Sequence, residues 1–402
     1  MRFAKSNRAA FTNFLAARYE RLTGTTTVSS RPYSMLVDVA ANCHLRCPSC
    51  PTGVENEAHR RGDSQRFRDR GLMGRELFAA LLDEIGACLF HLMLYNWGEP
   101  LFHPELPLFI AKAKQLDITT EIHTNLSLQL SESRMRSLLE AGIDEIAASI
   151  DGFSQQSYST YRRGGDFELA RDNLVRLAEL RTDLGLGTRI VWNCLVFSFN
   201  ERELEAAEAF CCEHGIVFQR REAAIDVGRT PGWVPSHRRH ELAGPRTPVA
   251  AAAAHEQEVP PRPSSCGWHY SFSVVNVSGS ISPCCAVWSQ EHDIGRFDGD
   301  RERFASIWNG PELRGARALA NPERGAAEPA GHAILCQACP FDDGVKDLYS
   351  PFDADVKRRF DEVFGRTDPM LAAAFDLVTE RPDEFVEFYR AHRERIENGA
   401  GR

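Results

Sequence analysis

Apolar residues in the first half of the chain form six short runs separated by stretches with helical spacing. Ahead of them, Phe11, Phe14, Leu15 and Leu22 lie near one face of residues 7–22, which predicts an amphipathic helix. The short runs predict strands at Met35–Ala41, His91–Tyr95, Ile118–Ile122, Asp144–Ile150, Arg189–Phe197 and Ile216–Gln219. Helical spacing predicts helices at about 75–85, after Pro104, and at about 131–141, 167–181 and 201–214.

Strand and helix alternate along this half of the chain, which indicates a parallel sheet with right-handed crossovers. Six strands are too few for a closed eight-stranded barrel. The sequence therefore predicts an α/β fold built on a partial (β/α)6 barrel. In such folds the functional groups lie at the carboxyl ends of the strands.

The second half of the chain changes character. Residues 222–265 are rich in proline and alanine, which indicates a linker. Phe272–Val277 and Ser280–Pro283 flank Ser278 and Gly279, a pattern typical of a β-hairpin. Two or three amphipathic helices are expected in residues 351–396. The predicted domains are a helical segment 1–33, the barrel 34–221, the linker 222–265, a small cysteine-rich hairpin and helix domain 266–345, and C-terminal helices 346–402.

Composition excludes several classes of protein. The 402 residues are 43% hydrophobic and 26% charged and carry a net charge of −9, which argues against a nucleic-acid binder with a basic face. No apolar run approaches the ~20 residues of a membrane helix, and we see no signal peptide. We therefore expect a cytoplasmic protein without membrane contact. In that reducing compartment, twelve cysteines indicate metal ligands or buried thiols.

Three cysteines follow the first predicted strand with the spacing C-x3-C-x2-C: Cys43, Cys47 and Cys50. Three thiolates are one ligand short of the four corners of a [4Fe–4S] cluster, so one iron stays open to bind another group. Zinc is the alternative, but structural zinc normally takes four ligands in two pairs. His44 is adjacent to one of the cysteines and is badly placed to share the metal.

Polar residues also follow the other predicted strands. Asn96–Pro100 comes after the second strand, and His123–Asn125 after the third. Ser149–Gly152 closes the fourth strand, and Asn193 lies in the fifth. Because these ends share one edge of a parallel sheet, the polar residues gather on one rim, where a cofactor would lie.

With these motifs, residues 30–225 resemble the radical S-adenosylmethionine (SAM) superfamily. The resemblance implies that Cys43, Cys47 and Cys50 bind a [4Fe–4S] cluster whose open iron chelates the amino and carboxylate groups of SAM. It further implies reductive cleavage of SAM to a 5′-deoxyadenosyl radical, which abstracts hydrogen from the substrate. An external electron donor of the flavodoxin or ferredoxin type is then expected.

The resemblance also implies roles for single residues. Trp97–Pro100 matches the Gly-Gly-Glu-Pro motif of the family with tryptophan at the first position, and Glu99 would accept a hydrogen bond from the methionine ammonium. Arg163 either pairs with the methionine carboxylate or is a solvated loop arginine. Ser49 departs from the aromatic residue usual before the third cysteine. The expected SAM-binding residues are Trp97, Gly98, Glu99, Pro100, Asn125, Ser149, Asp151, Arg163 and Asn193.

A second group of cysteines resembles the SPASM/twitch extension of the same superfamily, over residues 262–345. The resemblance implies one auxiliary [4Fe–4S] cluster, and its expected ligands are Cys266, Cys284, Cys336 and Cys339. Val345 occupies the place of a further cysteine in full SPASM domains. A zinc site remains the alternative for this group. Cys285 is left over, either as a buried thiol or as a hydrogen-atom donor.

The resemblance leaves the substrate open. The main hypothesis is an oxidoreductase that oxidises a secondary alcohol of a sugar or aminocyclitol, with the auxiliary cluster as electron acceptor. The alternatives are a carbon epimerase with Cys285 as hydrogen donor, a maturase of ribosomal peptides, and a non-catalytic iron–sulfur redox protein. Only about 33 residues precede the first strand, fewer than a peptide-recognition domain needs. A small-molecule substrate is therefore expected, and the arginines of residues 55–70 either bind an anionic group of it or lie in a solvated loop.

Overall fold

The computed structural model describes residues 8–63, 66–223, 230–238, 266–300, 302–320, 336, 350–364 and 367–398. Six strands form the barrel sheet: β1 Ser34–Val37, β2 His91–Met93, β3 Thr119–Thr124, β4 Glu145–Ser149, β5 Arg189–Val196 and β6 Val217–Glu222. The helices ahead of and between them are α1 Arg8–Thr23, α2 Pro51–Arg60, α3 Arg75–Ile85, α4 Leu106–Gln115, α5 Glu132–Glu140, α6 Gln155–Tyr161, α7 Phe167–Asp183 and α8 Leu204–Glu213.

The predicted strands and main helices are confirmed, with boundaries that shift by a few residues. Two short helices were missed, α2 and α6. Neither carries an apolar repeat that the sequence pattern could reveal. Pro51 lies in the first turn of α2, where its missing N–H costs nothing, and the Ser154 hydroxyl accepts from the Ser157 N–H at the start of α6.

The barrel sheet continues into the cysteine-rich region. After the short helix α9 Trp268–Ser271, the structure adds β7 Phe272–Val275, β8 Ser280–Ser282 and β9 Gly295–Arg296. The strand order is β6-β5-β4-β3-β2-β1-β7-β8-β9, in which β7 runs parallel to β1. The predicted hairpin therefore extends the barrel sheet. Its turn requires Gly279, whose φ is +83° and whose missing side chain leaves room for the carbonyl of Phe297.

The two faces of this sheet differ. Helices α3–α8 cover the outer face with an apolar core that includes Phe78, Phe109, Leu138, Leu174 and Trp192. Alternate residues of each strand point to the opposite, inner face. The apolar part of that face is a smaller cluster of Leu36, Met93, Trp268, Phe272 and Val274. The sheet is not closed by hydrogen bonds between its first and last strands, in agreement with an open barrel.

The remaining helices are α10 Phe304–Trp308, α11 Pro311–Ala320, α12 Ser350–Val363, α13 Pro369–Glu380 and α14 Pro382–Asn398. The three C-terminal helices pack with α1 around an aromatic core, in which Phe11 contacts Phe90 and Phe360 edge to face. Because Tyr33 and Phe90 precede β1 and β2, this helical layer lies at the amino ends of the strands. The cysteine loop lies at the opposite, carboxyl ends, where Trp233 and Val234 pack against it.

Candidate functional site

The loop between β1 and α2 carries Cys43, Cys47 and Cys50, and all three are free thiols. The side-chain amide of Asn56 holds the loop by donating to the carbonyls of Cys43 (2.8 Å) and Leu45 (2.7 Å). Helix α2 then packs directly on the loop, since a Cβ on Gly53 would lie 2.3 Å from the Cys47 carbonyl oxygen. The loop is therefore ordered by contacts within the chain.

Burial dominates the electrostatics of these thiols. It raises the pKa of Cys50 to about 12, and it also raises the pKa of Cys43 and Cys47. All three cysteines belong to or pack against one apolar cluster with Leu45 and Tyr161, and neighbouring sulfurs raise the pKa of Cys43 and Cys50 further. Thiols in such a place ionise only beside a strong positive charge, and iron supplies that charge.

Three soft ligands on one loop fit a [4Fe–4S] cluster. In the described ranges, no three Cys, His, Asp or Glu side chains meet closely enough to hold a single metal ion. A cluster makes a different demand, because each thiolate binds a separate iron at a corner of the cube. A cluster held by Cys43, Cys47 and Cys50, with SAM on its open iron, would supply radical chemistry.

Glu99 lies in the loop that follows β2 and is 1% exposed. Its carboxylate accepts hydrogen bonds from the Thr124 hydroxyl (2.6 Å), the Asn125 N–H (2.8 Å) and the Leu101 N–H (3.1 Å). Burial raises its pKa, whereas these donors act in the opposite direction. The three internal donors orient the carboxylate before any ligand binds.

The residues around Glu99 approach the cysteine loop closely. A Cβ on Gly98 would lie 1.6 Å from the Ala40 carbonyl oxygen, so only glycine fits there. The Cys50 thiol contacts the Trp97 carbonyl at 3.7 Å, and the Asn125 side-chain amide contacts the Cys43 sulfur at 3.8 Å. Pro100 starts a short 3-10 helix capped by Glu99.

The remaining rim residues lie on the next two strands. Ser149 and Asn193 are in register on β4 and β5, as expected for residues that share a ligand. Asn193 is buried, and its side-chain oxygen has no hydrogen-bond partner among the described residues. This acceptor is therefore available for a ligand such as SAM.

Arg162, the neighbour of Arg163, is the arginine that lies beside the cysteine loop. The Arg163 side chain is exposed, and only its carbonyl contacts the cysteine loop, by accepting from the Arg46 N–H at 2.9 Å. Arg162 lies beside Cys47, where its positive charge and hydrogen bond lower the pKa of the thiol. Spacing along the sequence could not separate two neighbouring arginines, because the turn after α6 decides which one points inward.

Asp151 is held in place by partners within the chain. It is fully buried, forms an ion pair with Arg162 at 2.5 Å and accepts a hydrogen bond from the Leu195 N–H at 2.7 Å. Burial raises its pKa, while Arg162 lowers it. The carboxylate therefore positions Arg162 against the cysteine loop.

The second cysteine group lies at the inner face of the sheet. Cys266, Cys284 and Cys285 all pack against the cluster formed by Trp268, Phe272 and their neighbours. Cys336 Sγ is 3.6 Å from the buried His269 ring. Cys339 and Val345 lie outside the described residues. Burial raises the pKa of Cys285 to about 11, so this residue is a neutral thiol at neutral pH.

Four of the five arginines in residues 55–70 are paired within the chain. Arg60 and Arg61 form ion pairs with Glu57, and Arg70 pairs with Glu55. Arg68 is buried against Asp293 at 2.8 Å. The interpretation of residues 55–70 as a solvated loop was wrong for residues 55–60, which belong to α2. The four pairs offset most of the positive charge that an anionic substrate would meet.

Three functional contacts escaped the sequence analysis: the Asn56 amide that holds the loop, the Thr124 hydroxyl on Glu99, and Arg162 on Cys47. Thr124 belonged to a motif that the sequence showed, but its partner did not follow from spacing. Asn56 carried no signal, because α2 was not predicted.

Two family models match the chain. The radical SAM superfamily model matches residues 37–208, and an iron–sulfur cluster-binding domain model, SPASM, matches residues 266–340. Both matches coincide with the cysteine groups described above. None of the helices in the described ranges is long and apolar enough to cross a membrane.

Known proteins of this kind resemble the chain at low identity. A PqqA peptide cyclase of Granulibacter bethesdensis is 26% identical over 296 residues, covering 69% of this chain and 74% of the relative. A GTP 3′,8-cyclase of Chlorobaculum tepidum is 23% identical over 254 residues, covering 61% and 68%. The crystal structure of Streptococcus suis SuiB bound to SAM superposes with a TM-score of 0.50 at 14% identity, covering 72% of this chain and 68% of SuiB. The chain therefore belongs to the radical SAM superfamily and carries a C-terminal SPASM-type iron–sulfur domain.

Proposed function

We propose that this radical SAM enzyme modifies a ribosomally made peptide by forming a bond within it. The observation that carries the proposal is the relationship to PqqA peptide cyclases, which extends over 296 residues and is much longer than the segment 37–208 matched by the radical SAM model. SuiB, whose fold is similar, has been crystallised with its precursor peptide SuiA. Both relationships favour the peptide alternative over oxidation of a sugar alcohol.

The short segment before β1 weighed against a peptide substrate in the sequence analysis. The similarity to peptide cyclases outweighs that argument, because the aligned region spans 74% and 78% of the length of two of these relatives. We therefore assign the substrate class from the relatives and assign the roles of single residues from the structure.

We assign the SAM-binding cluster to Cys43, Cys47 and Cys50, with Asn56 ordering the loop. The side-chain oxygen of Asn193 can accept a hydrogen bond from SAM. Glu99 holds the nearby main chain by accepting from the N–H groups of Leu101 and Asn125.

For the auxiliary cluster we propose Cys266, Cys284 and Cys336 together with Cys339. Radical SAM enzymes draw an electron from an external donor, and for this chain we propose one of the flavodoxin or ferredoxin type.

The test is a reaction of the anaerobically reconstituted enzyme with SAM, a reductant and the short peptides encoded beside its gene. We expect 5′-deoxyadenosine and a peptide that has lost two hydrogens, both measured by mass spectrometry. Cys47→Ala should abolish both products. If 5′-deoxyadenosine forms but a sugar alcohol is oxidised in preference to every peptide, the peptide proposal is wrong.

Cys285→Ala separates bond formation from epimerisation. Bond formation does not require a thiol that returns hydrogen to the substrate, so we expect this variant to modify the peptide as well as the wild-type enzyme does. Loss of the product with continued formation of 5′-deoxyadenosine would instead support the epimerase alternative, in which the neutral Cys285 thiol donates hydrogen.

A further inference from the structure

Three titratable side chains meet at the inner face of the sheet: Tyr95, which follows β2, and Glu121 and His123 of β3. The Tyr95 hydroxyl donates to Glu121 Oε1 at 3.1 Å. The Tyr95 ring stacks on His123 with centroids 4.2 Å apart and planes 8° apart. Thr120, Ile122 and Thr124 alternate with Glu121 and His123 and are buried on the outer face, so Glu121 and His123 point inward.

This cluster is close along the chain to the residues that contact the cysteine loop. The Trp97 carbonyl contacts Cys50 and the Asn125 side chain contacts Cys43. Trp97 and Asn125 follow Tyr95 and His123 by two residues each.

Charges from three other strands face Glu121. Glu145 is its register partner on β4 and forms an ion pair with Arg189 of β5. Arg221 of β6 and Arg189 both favour the ionised form of Glu121, and Glu145 opposes it. Glu145 is thus matched by its own arginine, whereas Glu121 receives the Tyr95 hydroxyl and stays open to the barrel interior.

The protonation states suit a proton acceptor. Burial, with help from the Glu145 charge, raises the pKa of Glu121 to about 7. Burial lowers the pKa of His123 to about 4, so its ring is neutral at pH 7 and cannot neutralise Glu121. A carboxylate whose pKa lies near the working pH is well matched to general base catalysis.

We propose that Glu121, oriented by Tyr95, accepts a proton from the peptide substrate inside the barrel. In this step an N–H, O–H or C–H bond of the peptide breaks and an O–H bond forms on the Glu121 carboxylate. The electron pair of the broken bond stays on the peptide, so the step itself needs no oxidant. The peptide substrate rests on the proposed function, whereas the assignment of Glu121 as a proton-exchanging group does not.

The first test compares Glu121→Gln, Glu121→Asp and Glu145→Gln in the cluster-loaded enzyme. We expect Glu121→Gln to keep cleaving SAM but to lose modified peptide per 5′-deoxyadenosine by about 10²-fold or more. Glu121→Asp should restore part of this yield. Glu145→Gln should keep the yield of modified peptide. In this variant the acid limb of the pH–yield profile should shift to lower pH, because the Glu145 charge that raises the pKa of Glu121 is gone. An unchanged product ratio in Glu121→Gln overturns the proposal.

The second test needs no substrate and no turnover. Infrared difference spectra of the cluster-loaded enzyme, recorded from pH 5 to 9, should show a protonated carboxyl band that disappears near pH 7 and is missing in Glu121→Gln. If the band is absent from the wild-type enzyme, Glu121 does not exchange protons near neutral pH and the proposal fails. If the band is present but no peptide is modified by the wild-type enzyme, it is the proposed function that has failed.

Discussion

Arg162 Nε lies 2.5 Å from Asp151 Oδ2, and the charge of the same guanidinium lowers the pKa of the Cys47 thiol against the effect of burial. A fully buried carboxylate thus fixes a cation beside a cluster ligand. Positive charge and hydrogen bonds at a ligand sulfur raise the reduction potential of the iron–sulfur cluster. The pair therefore links the strand-end residue Asp151 to the electron chemistry of the site, although the two residues were not connected in the sequence pattern.

Replacing Arg162 should impair the cluster. In Arg162→Gln the charge at Cys47 is lost, so we expect a lower midpoint potential in an anaerobic redox titration followed by electron paramagnetic resonance. SAM cleavage should fall by about 10–100-fold, as for other residues that support metal ligands. Arg163→Gln is the matched control and should leave both unchanged, because its side chain is exposed. Equal effects of the two variants would refute the assignment of Arg162.

A methyl group at position 98 should disrupt the rim. The added Cβ of Gly98→Ala would overlap the Ala40 carbonyl oxygen at 1.6 Å, so the β1 and β2 ends must separate. We expect destabilisation of about 1–3 kcal/mol or more, together with a reduced iron content after reconstitution. Gly232→Ala is the control, since nothing lies within 4 Å of its added Cβ. Thermal unfolding and iron analysis of both variants provide the measurement.

Arg68 connects the segment after α2 to the hairpin region. It pairs with Asp293 at 2.8 Å and donates to the Ser282 hydroxyl at 2.9 Å, with both partners buried. Removing one member of a buried ion pair costs about 3–5 kcal/mol, so Arg68→Ala should lower the melting temperature markedly. Arg60→Ala is the control, because Arg60 is exposed where it pairs with Glu57, and this variant should change the melting temperature little. A small effect of Arg68→Ala would show that the pair does not hold the two regions together.

Asp38 should make stability fall as the pH rises. It is 2% exposed, and burial raises its pKa to about 6, above the unfolded value near 3.8. The folded state therefore holds the proton more tightly, and the stabilisation present below about pH 4 is lost as the pH rises through about 6. Asp38→Asn removes this dependence. Relative to the wild type, the free energy of unfolding of the variant should rise by on the order of 2–3 kcal/mol as the pH goes from about 4 to about 6. Melting temperatures of both proteins at pH 5 and 7.5 test the sign. A difference that does not grow toward pH 7.5 contradicts it.

The predictable part of the fold was the part with local periodicity. The six strands and the long helices of the barrel have buried faces that repeat every two or nearly four residues, and they appeared where expected. Helices α2 and α6 have polar sequences without an apolar repeat. Helix α2 is held by the contact of Asn56 with the cysteine loop, which spacing does not show, whereas the Ser154 cap of α6 is a local signal that was missed. The hairpin was predicted, but its parallel pairing with β1 was not, because the two strands are more than 200 residues apart.

By itself the sequence determined the cysteine spacing, the alternation of strands and helices, and the order in which polar residues follow the strands. These features are local, and together with the family resemblance they were sufficient to predict the fold and the iron–sulfur and SAM cofactors, whereas the individual cluster ligands stay a prediction. Only the tertiary structure showed that Arg162 lies beside Cys47, and that partners within the chain orient the carboxylates of Asp151 and Glu99. It alone showed that Glu121 remains open beside Tyr95. The physical reason is that orientation and hydrogen-bond partners depend on which distant segments pack together, and burial by those segments sets the charge that each group carries.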